Sequence, residues 1–124
     1  MHRIAGIVCA LVMLVSAQVA HAAGDATAGE AVFKKACVVC HASEAGKNKI
    51  GPSLHAVVGR HWAALPDFPY SDAMKKADKI WDDQTLDAYL ANPKDVVPGT
   101  KMIFIGLKSE EDRQNVIAYL ESQK

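Results

Sequence analysis

Apolar residues recur at helical spacing in three separate parts of the chain. The first stripe ends in two cysteines and consists of Val32, Phe33, Ala36, Cys37 and Cys40. The second consists of Leu86, Tyr89 and Leu90. The third consists of Val116, Ile117 and Leu120, with Tyr119 beside them. Residues three or four apart lie on one side of a helix, so each stripe predicts an amphipathic helix.

Polar residues indicate where these three helices begin and end. Either Asp25 or Thr27 can cap the first helix, because a short oxygen-bearing side chain accepts hydrogen bonds from the free amides of the first turn. Asp83 is the expected cap of the second helix and Ser109 that of the third. Asn92-Pro93 is expected to end the second helix.

Residues 42–70 show neither a helical nor a strand period, and they contain three glycines and three prolines, with lysine and asparagine at positions 47–49. A short helix is expected only after them, over residues 71–77. Because no segment alternates as a strand does, we predict an all-α fold of about four to five helices. An irregular loop of this length is unusual in a small domain unless it wraps around something. A large buried cofactor would supply the missing core.

The first 22 residues have the layout of a secretory signal peptide. Positive charge at Arg3 precedes an apolar run over residues 4–15, and Ala20-His21-Ala22 resembles a cleavage site. We therefore expect residues 1–22 to be cleaved and residues 23–124 to form one domain. The alternative is an uncleaved membrane anchor, for which the apolar run is short. Export would place the protein in the bacterial periplasm.

The charge balance argues against nucleic acid as a partner. The chain has 14 Lys+Arg and 14 Asp+Glu, and loss of Arg3 with the leader would leave 13 against 14, a balance near −1. A nucleic-acid-binding domain of this size would carry a clear excess of positive charge.

Two cysteines and a histidine stand together in the sequence CVVCHA, residues 37–42. A disulfide over so short a loop would constrain almost nothing. A redox-active dithiol would sit at the start of a helix beside a sheet, whereas here the helix precedes the cysteines. Zinc needs four ligands, so Cys37, Cys40 and His41 would require His55 or His61 as well. The pattern C-x-x-C-H is the attachment site of a c-type haem, with the histidine as the proximal iron ligand.

A haem iron has a sixth coordination position, opposite the proximal histidine. The candidates for it are His55, His61, Met74 and Met102. Met102 is favoured because it is far from His41 in sequence and follows a Pro98-Gly99 turn, so its loop can approach the opposite haem face. A thioether sulfur is a soft ligand that favours reduced iron and raises the reduction potential.

From Gly24 to the C-terminus the chain resembles the small soluble class I cytochromes c, the mitochondrial-type protein and its bacterial periplasmic relatives. The resemblance rests on motifs in the family's order, over essentially all of the chain after the leader. They are Gly24-Asp25, Gly29-x-x-x-Phe33, CVVCH, Gly51-Pro52-x-Leu54, Gly59-Arg60, Tyr70, Trp81, Tyr89, Asn92-Pro93, Pro98-Gly99-Thr100-Lys101-Met102-x-Phe104 and Ile117-Ala118-Tyr119-Leu120.

The resemblance implies one haem c, joined to Cys37 and Cys40, with His41 and Met102 as axial ligands. It also implies that the Pro52 carbonyl supports His41 and that Arg60, Tyr70 and Trp81 bind or shield the haem propionates. Tyr89 and Thr100 would lie at the haem beside the axial methionine. Two residues depart from the family pattern: Met74 stands where relatives often carry Asn, and Ala36 replaces a common Lys.

The function implied is that of a monomeric one-electron carrier, not an enzyme, because both axial positions of the iron are filled. Its partners would be redox proteins: a donor such as a cytochrome bc complex, and an acceptor such as an oxidase, reductase or reaction centre of a respiratory or photosynthetic chain. Contact with the membrane would be peripheral. Six lysines would surround the exposed haem edge: Lys35, Lys47, Lys49, Lys94, Lys101 and Lys108. The alternative is a gas-binding or peroxidatic haem protein with a labile Met102 ligand.

Overall fold

The two terminal helices of the described chain pack against each other. The structure, a computed structural model, describes residues 24–124; the predicted signal peptide lies outside them. Helix α1 (Ala26–Ala36) begins at Asp25, whose side chain accepts hydrogen bonds from the backbone N–H groups of Thr27 and Ala28. Of the two predicted caps, Asp25 is therefore the one used.

Helix α5 (Glu110–Ser122) is capped by Ser109, as predicted, and crosses α1 at very short range. A Cβ atom on Gly29 would overlap the backbone of Asn115, so only glycine allows this approach. The side chain of Asn115 also accepts a hydrogen bond from the Asp25 backbone N–H at 2.8 Å. Phe33 and Tyr119 extend the contact, with ring centroids 5.2 Å apart.

Three shorter helices lie between these two: α2 (Asp72–Lys76), α3 (Asp83–Ala91) and α4 (Pro93–Val96). The cap of α3 is Asp82 and not Asp83 as predicted; its side chain accepts from the Thr85 N–H at 2.7 Å. Asn92-Pro93 ends α3 as predicted, but Pro93 also begins α4. A proline is tolerated at the first position of a helix because the N–H that it lacks has no partner there.

The all-α prediction is confirmed for residues 24–124, which contain five helices and no strand beyond one isolated bridge between His61 and Ile80. The three predicted apolar stripes supply much of the core: Phe33, Leu86, Tyr89, Leu90, Val116, Ile117 and Leu120 are all buried. Residues 37–71 contain no helix and connect α1 to α2 through turns. Across the described residues, no helix is both long and apolar enough to cross a membrane.

Candidate functional site

His41 is buried and held by a single backbone carbonyl. Its Nδ1 donates to the Pro52 carbonyl oxygen at 2.8 Å, the contact that the sequence analysis expected. Gly51 packs flat against the ring, where a Cβ would overlap the imidazole atoms. Burial lowers the pKa of His41, more than the hydrogen bond to Pro52 raises it. The ring is therefore neutral near pH 7, with the proton on Nδ1 and a free lone pair on Nε2.

Cys37 and Cys40 lie in the turn that follows α1. The backbone N–H of Cys37 donates to Phe33, and those of Cys40 and His41 donate to the Cys37 carbonyl at 3.1 and 2.9 Å. This turn therefore places both cysteines next to His41. Both thiols are half-buried and free, which removes the disulfide interpretation.

The pKa of Cys37 argues against a reactive dithiol. Burial, and to a lesser extent the neighbouring Cys40, raises the pKa of Cys37 to about 11. A redox-active pair needs a lowered thiol pKa, since the thiolate is the nucleophile. Within residues 24–124, no three His, Cys, Asp or Glu side chains form a group that could hold a metal ion.

Met102 lies on a loop that hydrogen bonds attach to α3. The Thr100 hydroxyl oxygen accepts from the Met102 backbone N–H at 3.2 Å and lies 3.2 Å from the Tyr89 hydroxyl. Gly99 begins this segment with φ +90, a conformation that glycine adopts without strain. Met102 itself is half-buried and packs against the edge of the core.

The other three candidates for the sixth position have different surroundings. Met74 is buried in the core cluster on α2, which is the usual role of a methionine. His55 is half-buried, and His61 is exposed, with its Nδ1 4.0 Å from Asp78 Oδ1. Their positions give no reason to prefer them over Met102.

The residues expected at the propionates lie between α1 and α3: Arg60 and Tyr70 are on the irregular segment before α2, and Trp81 follows α2. Arg60 donates from its two terminal nitrogens to the carbonyls of His55 and Ser53, at 3.2 and 2.9 Å. Its Nε is buried without an acceptor, and burial lowers the pKa of its guanidinium. Such a group fits an anionic carboxylate of a haem. Tyr70 accepts a long hydrogen bond of 3.4 Å from the Leu65 N–H, and its hydroxyl remains able to donate.

Trp81 is buried in a group of three aromatic rings. Its ring stacks on Trp62 with centroids 4.4 Å apart and tilts against Tyr89 at 4.9 Å. Trp62, which the sequence analysis did not select, is itself only 6% exposed. Burial raises the pKa of Tyr89, more than its hydrogen bond to Thr100 lowers it, so the hydroxyl keeps its proton.

All six lysines of the predicted docking surface are exposed. Two of them are tied to the backbone: Lys49 donates to the Val38 carbonyl, and Lys101 to the Pro69 carbonyl at 3.1 Å. Beside the cysteines and Met102, apolar side chains are also exposed, with Val39 at 72% and Ile103 at 99%. These exposed apolar residues were not predicted, although their positions next to Cys40 and Met102 were a usable signal.

Comparison with known proteins places this arrangement among the cytochromes c. Residues 26–124 match the family model "Cytochrome c". Cytochrome c2 from Rhodomicrobium vannielii is 50% identical over 122 residues, covering 98% of this chain and 94% of its own. Cytochrome c from Euglena viridis is 44% identical over 101 residues, which is 82% of this chain and 99% of its own. The solved structure of cytochrome cH from Methylobacterium extorquens has a TM-score of 0.75 at 43% identity, covering 80% of this chain and 99% of its own.

Proposed function

The chain belongs to the class I cytochrome c family, and on that premise we propose that His41 and Met102 are the axial ligands of its haem iron. As a member of this family it is an electron carrier and not an enzyme, with a covalent c-type haem attached through Cys37 and Cys40. A haem at this position supplies a one-electron couple between ferric and ferrous iron.

The single observation that carries the proposal is the hydrogen bond from His41 Nδ1 to Pro52. It consumes the one ring proton of a neutral imidazole, so Nε2 keeps its lone pair for a metal. Burial opposes protonation of the ring, which would otherwise compete with iron for Nε2. Cys40 and Cys37, which precede His41 by one and four positions, lie in the same turn. The proposed ligand and the attachment site therefore form one rigid unit.

Met102 is the proposed second ligand because hydrogen bonds through Thr100 restrain its backbone. Thr100 holds the Met102 N–H, and Tyr89 on α3 lies within hydrogen-bond distance of the same hydroxyl. A soft thioether ligand would favour the ferrous state of a haem iron and raise its reduction potential. We assign Tyr89 and Thr100 to the haem pocket on this basis.

The remaining site residues are proposed to hold the haem rather than the iron. Pro52 orients His41, and Arg60, Tyr70 and Trp81 would hold or enclose the propionates. The buried Nε of Arg60 supports this role, because an unpaired buried donor is costly unless a group outside the chain accepts its hydrogen bond.

We further propose that the protein is exported to the periplasm and meets its redox partners through the six exposed lysines. The match to Rhodomicrobium vannielii cytochrome c2 supports export, because it covers 98% of this chain and therefore extends into the first 23 residues. The partners would be a donor such as a cytochrome bc complex and an acceptor such as an oxidase, reductase or reaction centre. Electron-transfer rates with an acidic partner should fall as ionic strength rises, and a flat profile would contradict docking through lysines.

The experiment for the axial ligands compares the parent with Met102→Ala and Met74→Leu after expression in a host that attaches haem. The parent should hold covalent haem under denaturing conditions and show a charge-transfer band from sulfur to ferric iron. Met102→Ala should lose that band and bind added imidazole, whereas Met74→Leu should keep it. Retention of the band in Met102→Ala would refute the ligand assignment.

A gas-binding or peroxidatic function is not favoured. It would require an open or labile sixth position, whereas the relatives matched over most of this chain are named as cytochromes c and c2.

A further inference from the structure

Two buried side-chain donors lie two residues apart and have no acceptor within residues 24–124. They are Nε of Arg60 and Nε1 of Trp62. Folded proteins pair nearly all buried polar groups, because an unpaired donor loses its hydrogen bonds to water without replacement. Two such donors this close together indicate that an acceptor outside the polypeptide belongs here.

Both donors flank His61, the residue of an isolated bridge, and they are buried whereas the His61 side chain is exposed. His61 forms an antiparallel bridge with Ile80, flanked by hydrogen bonds from Trp62 N–H to the Lys79 carbonyl and from Trp81 N–H to the Arg60 carbonyl, each 2.9 Å long. Successive side chains of an extended segment alternate between its two sides. His61 and Ile80 are accordingly exposed, whereas Trp62 and Trp81 are 6% and 8% exposed.

Trp62 also belongs to the wall of the proposed haem site. Its ring stacks on Trp81 and lies 6.2 Å from the Tyr89 ring. Tyr89 in turn lies within hydrogen-bond distance of Thr100, which holds the backbone of Met102. A chain of direct contacts therefore connects Trp62 to both Trp81 and the methionine loop, two parts of the proposed haem pocket.

We propose that Trp62 Nε1 donates a hydrogen bond to a carboxylate of the haem, beside Arg60 Nε. The haem carries two propionates, and each carboxylate accepts several hydrogen bonds, so it can satisfy both orphaned donors. Arg60 is already fixed by the carbonyls of Ser53 and His55, and Nε is its buried nitrogen without an acceptor. This inference rests on the proposed function, because it requires the haem to occupy the site.

The hydrogen bond has a measurable consequence for the propionate. A donor to the ionised carboxylate favours the charged form and lowers its pKa. Replacing Trp62 with Phe removes the N–H but keeps an aromatic ring against Trp81. The loss of a hydrogen bond to a charged group should lower the proton dissociation constant of the carboxyl by roughly tenfold. Because ionisation near the iron affects its potential, the pH-dependent step in the midpoint potential should move to higher pH.

The experiment measures midpoint potential against pH for the haem-loaded parent, Trp62→Phe, Trp62→Leu and His61→Gln. The two Trp62 variants should move the step upward by the same amount, although only Trp62→Leu also lowers the melting temperature. His61→Gln changes the exposed side chain between Arg60 and Trp62, and it should leave the pH of the step in midpoint potential unchanged.

Two outcomes would overturn the inference. In the first, the curves of midpoint potential against pH for the parent and for Trp62→Phe superimpose, as expected if Trp62 Nε1 donates only to a buried water. The second is a step moved by Trp62→Leu but not by Trp62→Phe, which would assign the effect to ring packing. The parent spectrum separates this inference from the proposed function: absence of covalent haem contradicts both, whereas haem with superimposed curves contradicts the Trp62 assignment alone.

Discussion

The two proposed iron ligands, His41 and Met102, are held in different ways. Three features that position His41 come from residues 37–52, which we call the attachment segment: the turn after α1, the Pro52 carbonyl and the close approach of Gly51. Residues 97–105, the methionine loop, are held by distant partners, namely Tyr89 on α3 and Pro69 on the irregular segment.

Exposure follows the same division. His41 is buried, whereas Met102 is half-buried between the exposed side chains of Lys101 and Ile103. The attachment segment is therefore closely packed around His41, and the methionine loop is a surface segment attached at a few points. Substitutions in the attachment segment should change the stability of the whole fold. Substitutions in the methionine loop should change the strength of the Met102–iron bond.

The largest effect is expected for Gly51→Ala in the attachment segment. The added Cβ would overlap the His41 ring, so the ring must move away from Pro52. Overpacking of a close contact costs about 1–3 kcal/mol and the lost hydrogen bond about 1 kcal/mol more, so we expect a loss of about 3 kcal/mol. Denaturant unfolding of the haem-loaded protein, followed by haem absorbance, measures it.

Gly46→Asn is the matched control for this substitution. A Cβ at Gly46 has nothing within 4 Å, and asparagine tolerates the positive φ of +71 there. Its unfolding free energy should stay within about 0.5 kcal/mol of the parent. Equal unfolding free energies for Gly51→Ala and Gly46→Asn would contradict the view that the attachment segment is rigid around His41.

This difference also explains how far the sequence could predict the site. The attachment segment is visible as CVVCH followed by Gly51-Pro52, because the residues that contact each other are close in sequence. The link from Tyr89 through Thr100 to Met102 joins two elements that no local pattern connects. Trp62 was missed for the same reason: its neighbour Trp81 lies 19 positions away, and only the bridge between His61 and Ile80 brings their rings together.

In the fold, too, local signals were easier to predict than long-range ones. The longer helices were predicted because their apolar stripes and caps are local signals, and Asp25 and Ser109 cap as expected. The error at α3 is a shift of one residue between two adjacent aspartates, which composition alone cannot resolve. Helix α4 was missed because a proline after an asparagine indicates the end of one helix and the start of another equally well.

An intermediate effect is expected for Thr100→Val in the methionine loop. Valine has the shape of threonine but accepts no hydrogen bond, so the Met102 N–H and the Tyr89 hydroxyl both lose their partner. A loss of about 1–2 kcal/mol in the Met102–iron bond would make added imidazole bind roughly tenfold more tightly. Titration of the visible spectrum with imidazole measures this directly.

The double variant Tyr89→Phe/Thr100→Val tests the origin of that effect. Because removing both partners leaves no unpaired hydroxyl, its imidazole affinity should rise less than the two single changes predict together. Simple additivity would show that Tyr89 and Thr100 act independently. Covalent haem content should be the same in all three variants, since the attachment segment is unchanged.

The smallest effect is expected for Lys101, which is exposed and donates to the Pro69 carbonyl at 3.1 Å. Lys101→Met removes both the donor and the charge, whereas Lys101→Gln removes the charge and keeps a donor. An exposed hydrogen bond contributes at most about 0.5 kcal/mol, so imidazole affinity should rise by no more than about twofold in Lys101→Met. It should rise less in Lys101→Gln. A larger rise in Lys101→Met than in Thr100→Val would make the contact with Pro69, rather than that with α3, the main restraint on Met102.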